Sequence, residues 1–194
     1  SFSIFTTPSH CRITAPDTAS ARHALIHIED QMIARRAPVL PLGNLSRSTP
    51  ITDRIIRSPI AAYRFNTGWE LLDDHDYYPD EYVNKLAHAG INGIWVAGLF
   101  RTLIRTTILP QLGPQTSRPD KLRCLVKSAA TYGIKVHLFC MEPRSLPPTH
   151  PVFAAHPQLR GARVDANEYC LCTSTPLVQE YLRQAVCELF TQIP

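Results

Sequence analysis

Residues 135–147 read KVHLFCMEPRSLP. An apolar stretch runs straight into Glu142 and Arg144, and Pro143, Pro147 and Pro148 stiffen the turn around them. Proline narrows the chain's freedom before folding, so side chains in such a turn are partly positioned in advance. A carboxylate there can bind hydroxyls or act as a catalytic acid or base. A guanidinium can fork onto hydroxyls or onto a carboxylate. The competing reading is that Glu142 and Arg144 pair with neighbours and close a rim.

A second group lies further towards the N-terminus. Arg57, Arg64, Asn66 and Trp69 follow one another, and Glu70, Asp73, Asp74, His75 and Asp76 come next. Polar side chains beside an aromatic ring suit a carbohydrate, which offers hydroxyls for hydrogen bonding and an apolar ring face for stacking. Arg101, after another apolar run, is either a further sugar contact or a surface charge. Trp95, inside that run, reads as core. The acidic run 73–76 fits no zinc or calcium spacing and reads as a solvated approach to a helix, so no metal is expected. His150 and His156 each precede proline and read as turn residues. Asn167, Thr173 and Ser174 are rim hydrogen-bonding groups or helix caps. No nucleophile elbow, phosphate loop or dinucleotide fingerprint occurs, so no cofactor is expected.

These residues need elements to hold them. Asp17 can cap a helix that starts near Thr18, with Ala21, Leu25, Ile28 and Met32 as its inner face. Residues 42–53 read as loop. A rhythm then begins: strand candidate 54–65, helix 78–90, strand 91–100, helix 118–133, strand 134–140 and helix 175–190. Gly90-Ile91 and Gly133-Ile134 mark the same helix-to-strand turn in successive units. Alternating helices and near-continuous apolar strands imply a parallel sheet covered by helices. The segments after the strands (66–78, 98–118, 141–174) are long and the return turns are tight. That asymmetry favours a (β/α)8 barrel, with function at the C-terminal ends of the strands. The alternative is a doubly wound open sheet.

The bulk numbers bound the reading. The 194 residues are 44% hydrophobic and 19% charged, which fits a globular chain with a real core. The net charge of +4 is dispersed, with no basic run interleaved with aromatics, so nucleic acid is not an expected partner. No apolar stretch approaches a membrane span. The six cysteines include no Cys-x-x-Cys pair and read as reduced thiols, a pattern that leans towards the cytoplasm. A barrel needs about 250 residues, so a fragment is expected: residues 1–50 as the tail of a small α/β domain and 51–194 as the first three βα units. Such a piece leaves a strand edge open, is not expected to fold stably alone, and has the remainder of its own barrel as a partner.

RSPIAAYRF (57–65), YPDEYVNKLAHAGINGIWV (78–96) and LVKSAATYGIKVHLFCMEPRSLP (125–147) together resemble the start of a glycoside hydrolase barrel. The chain is most similar to the family 20 hexosaminidases and their uncharacterised relatives, over roughly residues 20–190 in organisation. The resemblance implies a carbohydrate substrate, with Arg57 gripping sugar hydroxyls and Glu142 near the acid of the third-strand turn. It also implies a catalytic Asp-Glu pair after a fourth strand. The family's His-x-His after the second strand is replaced here by Gly98-Leu99-Phe100-Arg101. The resulting expectation is hydrolysis of a glycosidic bond by two carboxyl groups, with Glu142 as an acid in or beside the site and Arg57, Arg64, Asn66, Trp69, Arg101 and Arg144 as sugar contacts. The alternatives are a non-catalytic carbohydrate-binding scaffold and an open α/β domain that takes an anionic metabolite.

Overall fold

In the computed structural model the described residues are 1–58, 69–72, 74–113, 119–144, 146–165 and 167–193. The chain divides into two compact units. The first comprises Ser1–Ile56, Tyr78–Ile94 and Ser128–Lys135; the second comprises Arg57–Tyr77, Trp95–Lys127 and Val136–Pro194.

The first unit opens with β1 (Phe2–Thr6), β2 (Cys11–Thr14), helix α1 (Thr18–Arg35) and β3 (Gly43–Arg47). The strands form an antiparallel sheet in the order β2-β1-β3, with Ile4 opposite both Ile13 and Leu45. β3 lies inside the stretch expected to be loop: its sequence, Gly-Asn-Leu-Ser-Arg, carries no alternating apolar signal, and pairing with β1 makes it a strand. Asp17 caps α1 as expected, its Oδ1 accepting the Ser20 N–H at 2.7 Å. The inner face of α1 differs from the expected one. Ser20 and Ala24 are buried, Ala21, Ile28 and Met32 are half-buried, and Leu25 is 58% exposed. Small side chains allow close approach, and here that packing outweighs the 3–4 spacing of the larger apolar residues.

Next come β4 (Ile55–Ile56), helix α2 (Asp80–His88), β5 (Gly93–Gly98), the one-turn helix α3 (Phe100–Leu103), helix α4 (Pro119–Thr131) and β6 (Lys135–Cys140). Most of the 54–65 strand candidate lies outside the described residues. The sheet order is β4-β5-β6. β4 and β5 are parallel, with Ile55 opposite Gly93. The Lys135 N–H donates to Asn92 O and the Met141 N–H to Gly98 O, both at 3.0 Å. Both spacings increase together along the chain, the mark of a parallel neighbour for β5. β5, the central strand, is almost wholly buried; β6, with a neighbour on one side among the described residues, is only partly so. Gly90 (φ 78°) and Gly133 (φ 69°) hold the left-handed conformation that stops α2 and α4 and starts the next strand.

Side chains alternate across β5. Trp95, Ala97 and Leu99 group with Met141 on one face. On the other, Gly98 lies against Leu138, Leu103 and Leu71.

The segment expected to be one long loop, 141–174, is largely built structure. It holds helix α5 (Pro151–Ala155) and the antiparallel hairpin of β7 (Arg160–Asp165) and β8 (Glu168–Leu171), before helix α6 (Pro176–Gln192). Leu146, Val152, Phe153, Leu159 and Leu171 bury themselves against Val178 and Tyr181 of α6. Proline punctuation at 143, 147, 148, 151 and 157 disguised a small core. Among the described residues no helix is long and apolar enough to cross a membrane.

Candidate functional site

The described contacts of the candidate residues fall into two constellations, both in the second unit. The first follows β4. Arg57 donates from Nε to Glu70 Oε1 at 2.6 Å, and its Nη2 reaches the same oxygen. Glu70 sits in the 3₁₀ turn Trp69–Leu71, which places it beside the buried Leu71. Its side chain is 1% exposed, against 21% for Arg57. The Arg57 guanidinium also lies 4.9 Å from the centre of the Trp95 ring, and Trp95 stacks on Phe139 at 5.2 Å. An acid on one side and an aromatic face beneath fix the plane of the guanidinium. Arg57 is therefore oriented while still partly open to solvent. Trp95, expected in the core, is half-buried as the floor of this arrangement.

The second constellation joins the ends of β5 and β6. Arg101, in α3, donates through one nitrogen to Glu142 Oε1 at 2.9 Å and to the Arg144 carbonyl at 2.7 Å. The Glu142 side chain is 0% exposed and that of Arg101 13%. The Glu142–Pro143 peptide bond is cis. The other carboxylate oxygen, Oε2, is buried without a hydrogen bond, as is the Tyr181 hydroxyl. Burial pushes the Glu142 carboxyl above the usual carboxylate range, and the charge and hydrogen bond of Arg101 only partly oppose it. The Tyr181 phenol is pushed up by burial and then by the Glu142 charge, and its hydroxyl lies near enough to that carboxylate to add to the effect, although the geometry falls short of a hydrogen bond. The Cys140 thiol is pushed up by burial, with the Glu142 charge adding to it. His150 is held below its ordinary value by burial and then by Arg101. His150 has a local task as well: its Nδ1 accepts the Val152 N–H at 3.2 Å and caps α5.

The two constellations rest on different neighbours. Trp95 and Phe139, beneath Arg57, belong to the face that carries Ala97, Leu99 and Met141. Glu142 meets Arg101 of α3 and lies close enough to Tyr181 of α6 for its charge to act on the phenol. Of the sequence candidates, Glu142, Arg101 and the Arg144 main chain come together, while the Arg144 side chain is exposed. Arg57 is drawn instead to Glu70. Trp69 begins the 3₁₀ turn that carries Glu70. Arg64 and Asn66 lie outside the described residues. Sequence reasoning passed over Glu70 and Tyr181 as partners. An acid followed by Leu71-Leu72 was a usable hint of burial; a tyrosine on an apolar helix face gave none.

No family model matches the chain, and no curated protein matches it in sequence. Solved structures do. The β-N-acetylhexosaminidase of Bacteroides fragilis aligns over 100% of this chain and 40% of its own, with a TM-score of 0.64 at 15% identity. A family 138 glycoside hydrolase that targets pectin rhamnogalacturonan II aligns over all of this chain and 23% of its own, with a TM-score of 0.67 at 16% identity. The family 20 exo-β-N-acetylglucosaminidase of Vibrio harveyi aligns over all of this chain and 34% of its own, with a TM-score of 0.59 at 14% identity. The chain spans less than half the length of each of these proteins. The likeness is one of fold: this mixed α/β chain is built as a part of glycoside hydrolases is built.

Proposed function

We propose that this chain is the N-terminal part of a (β/α)8 glycoside hydrolase that hydrolyses glycosidic bonds of a carbohydrate, hexosaminidase-like in organisation. In this reading residues 1–50 are the tail of a small α/β domain and residues 51–194 supply the first three βα units. The strands that close the barrel pair beyond β6. The observation that carries the reading is the alignment of the whole chain with glycoside hydrolases of two different families.

Arg57 is the principal sugar contact of the proposal. Glu70 and Trp95 fix its guanidinium before any ligand arrives, which lowers the ordering cost of binding. Arg64, Asn66, Trp69 and Arg144 are its proposed companions at the strand ends. Arg101 and Glu142 shape the rim from behind: the pair anchors the Arg144 main chain and so sets where that exposed side chain begins. Glu142 is thus an acid beside the site, and the two carboxyl groups that cleave the bond come from elsewhere in the barrel.

The test is hydrolysis of aryl N-acetylglucosaminide by the intact protein, together with titration of a panel of sugars. Arg57→Ala is expected to weaken sugar binding about tenfold or more, the size of a lost charged hydrogen-bonding group. Binding unaltered by that change would remove Arg57 from the proposal. A second reading, a carbohydrate-binding scaffold without hydrolysis, is favoured by one observation: both Glu70 and Glu142 are enclosed in ion pairs. Retained sugar binding with no hydrolysis of any panel member would select it.

A further inference from the structure

A cavity of about 460 Å³ opens in the first unit. Its wall includes His23 and His27 of α1, Arg47 and Ser48 as the chain leaves β3, then Arg54 and His88. The volume falls within the roughly 300–1,000 Å³ of small-molecule sites. Asp30, the one acid among the described wall residues, is already engaged, its Oδ1 lying 2.6 Å from His88 Nδ1. Glu29, outside the wall, faces the other His88 nitrogen at 3.6 Å.

Arg54 is held rigidly. Its Nε donates to Gly90 O, one terminal nitrogen donates to Ile51 O at 2.6 Å, and the other lies 3.4 Å from His23 Nε2. A guanidinium locked on two carbonyls keeps its charge in place whether or not a ligand is present. Arg47 is exposed beside it and turns towards the same space. The side chains of His27 and Ser48 complete a wall of hydrogen-bonding groups around these two cations. Among the described wall residues, two permanent cations therefore face one acid that a histidine already occupies.

We propose that this cavity binds a small oxyanion-bearing molecule, a phosphorylated or carboxylated sugar or metabolite, seated between Arg47, Arg54 and the imidazoles of His23 and His27. Fork-shaped guanidinium donors match phosphate and carboxylate oxygens. The proposal does not depend on the proposed sugar contacts. His23 supplies the mark by which it is recognised. Burial, then the charges of Arg54 and Arg22, hold His23 below the ordinary histidine value; Asp17 opposes them weakly. His27, Asp30 and His88 are the remaining titratable groups of the wall. An anion in the cavity counters the cationic field and favours imidazolium on His23. Binding then takes up a proton, and by linkage affinity rises as pH falls through the histidine range.

Calorimetric titration of the intact protein with sulfate tests this, because the charge of sulfate is constant over that range. Saturable binding is expected to tighten about threefold or more from mildly alkaline to mildly acidic pH. Arg47→Gln, at an exposed position, is expected to weaken it roughly fivefold with an unchanged circular dichroism spectrum. His23→Gln is expected to retain binding and lose its pH dependence. Titrations with glucose 6-phosphate and glucuronate separate the two ligand sources, the tighter one naming the anion, and glucose is expected not to bind. Absence of saturable sulfate binding at either pH overturns the proposal. So does wild-type binding that ignores pH, or binding indifferent to both Arg47→Gln and His23→Gln.

Discussion

Two strand ends of one sheet each set an arginine against a buried glutamate, and the two pairs are solved differently. After β4, two nitrogens of Arg57 converge on a single oxygen of Glu70, and the guanidinium remains a fifth exposed above an aromatic ring. At the ends of β5 and β6, Arg101 divides one nitrogen between Glu142 and a carbonyl, and the second carboxylate oxygen has no hydrogen bond. The first pair orients a cation towards solvent, as a ligand-binding group requires. The second encloses an acid more completely than its partner can compensate, and the raised Glu142 pKa records the deficit. A glutamate in a proline-stiffened turn after a strand is therefore an insufficient signal for catalysis; where its oxygens point decides.

Removing the arginines gives the largest contrast. Arg101→Leu leaves a buried Glu142 without its charge partner and is expected to cost about 3–5 kcal/mol near neutral pH. Part of that cost should vanish in mild acid, where the carboxyl takes up a proton. Arg57→Leu is expected to cost less, about 1–3 kcal/mol, because water can occupy the opening that the guanidinium leaves. Urea denaturation of the intact protein measures both. Equal costs would erase the proposed difference between the pairs. Replacing both partners of the second pair, as Arg101→Met with Glu142→Leu, should recover most of the loss, since a buried pair contributes little beyond a well-packed apolar substitute.

The strand that separates the pairs offers an independent check. A Cβ added at Gly98 would lie 2.8 Å from Leu138 Cδ1 and 3.1 Å from Leu103 Cδ1. Gly98→Ala should therefore cost about 1–3 kcal/mol through overpacking. The two closest approaches are to β6 and α3, while Leu71, in the turn that carries Glu70, stands at an ordinary 3.4 Å contact. Sugar binding through Arg57 should be unaffected if the added methyl is absorbed by Leu138 and Leu103, and weakened if Leu71 shifts and carries Glu70 with it.

The rhythm of strand and helix was legible because its signals are local. Gly90 and Gly133 stop their helices at positive φ, and the apolar runs of β5 and β6 stand between them. The pairings were not legible. Arg101 and Glu142 are 41 positions apart and Arg57 and Glu70 are 13 apart; which arginine meets which acid depends on strand register and on the turn at Trp69. The α1 face was read only in part: Leu25 is exposed, and Ala24 and Ser20 pack by being small, a property that periodicity of large apolar residues does not reveal. The 141–174 hairpin was missed because its short strands draw their apolar neighbours from α5 and α6.

The finest distinction concerns the hydroxyl of Tyr181. Buried beside Glu142 but without a hydrogen bond of good geometry, it should be removable at little cost, and Tyr181→Phe is expected to change stability by less than about 1 kcal/mol, in either direction. The pH dependence carries more information than the midpoint. Because the folded state holds the Glu142 proton more tightly than the unfolded chain does, this group favours the fold most below the ordinary carboxylate value. That contribution is lost as pH rises through the raised folded value. Glu142→Gln should abolish this fall, so the wild-type and variant curves of stability against pH diverge across that window and run parallel outside it. Tyr181→Phe should preserve the fall. If it instead steepens the fall and lowers stability at neutral pH, the phenol has been donating to the carboxylate, and the second pair is a three-membered network in which Tyr181 supplies what Arg101 alone does not.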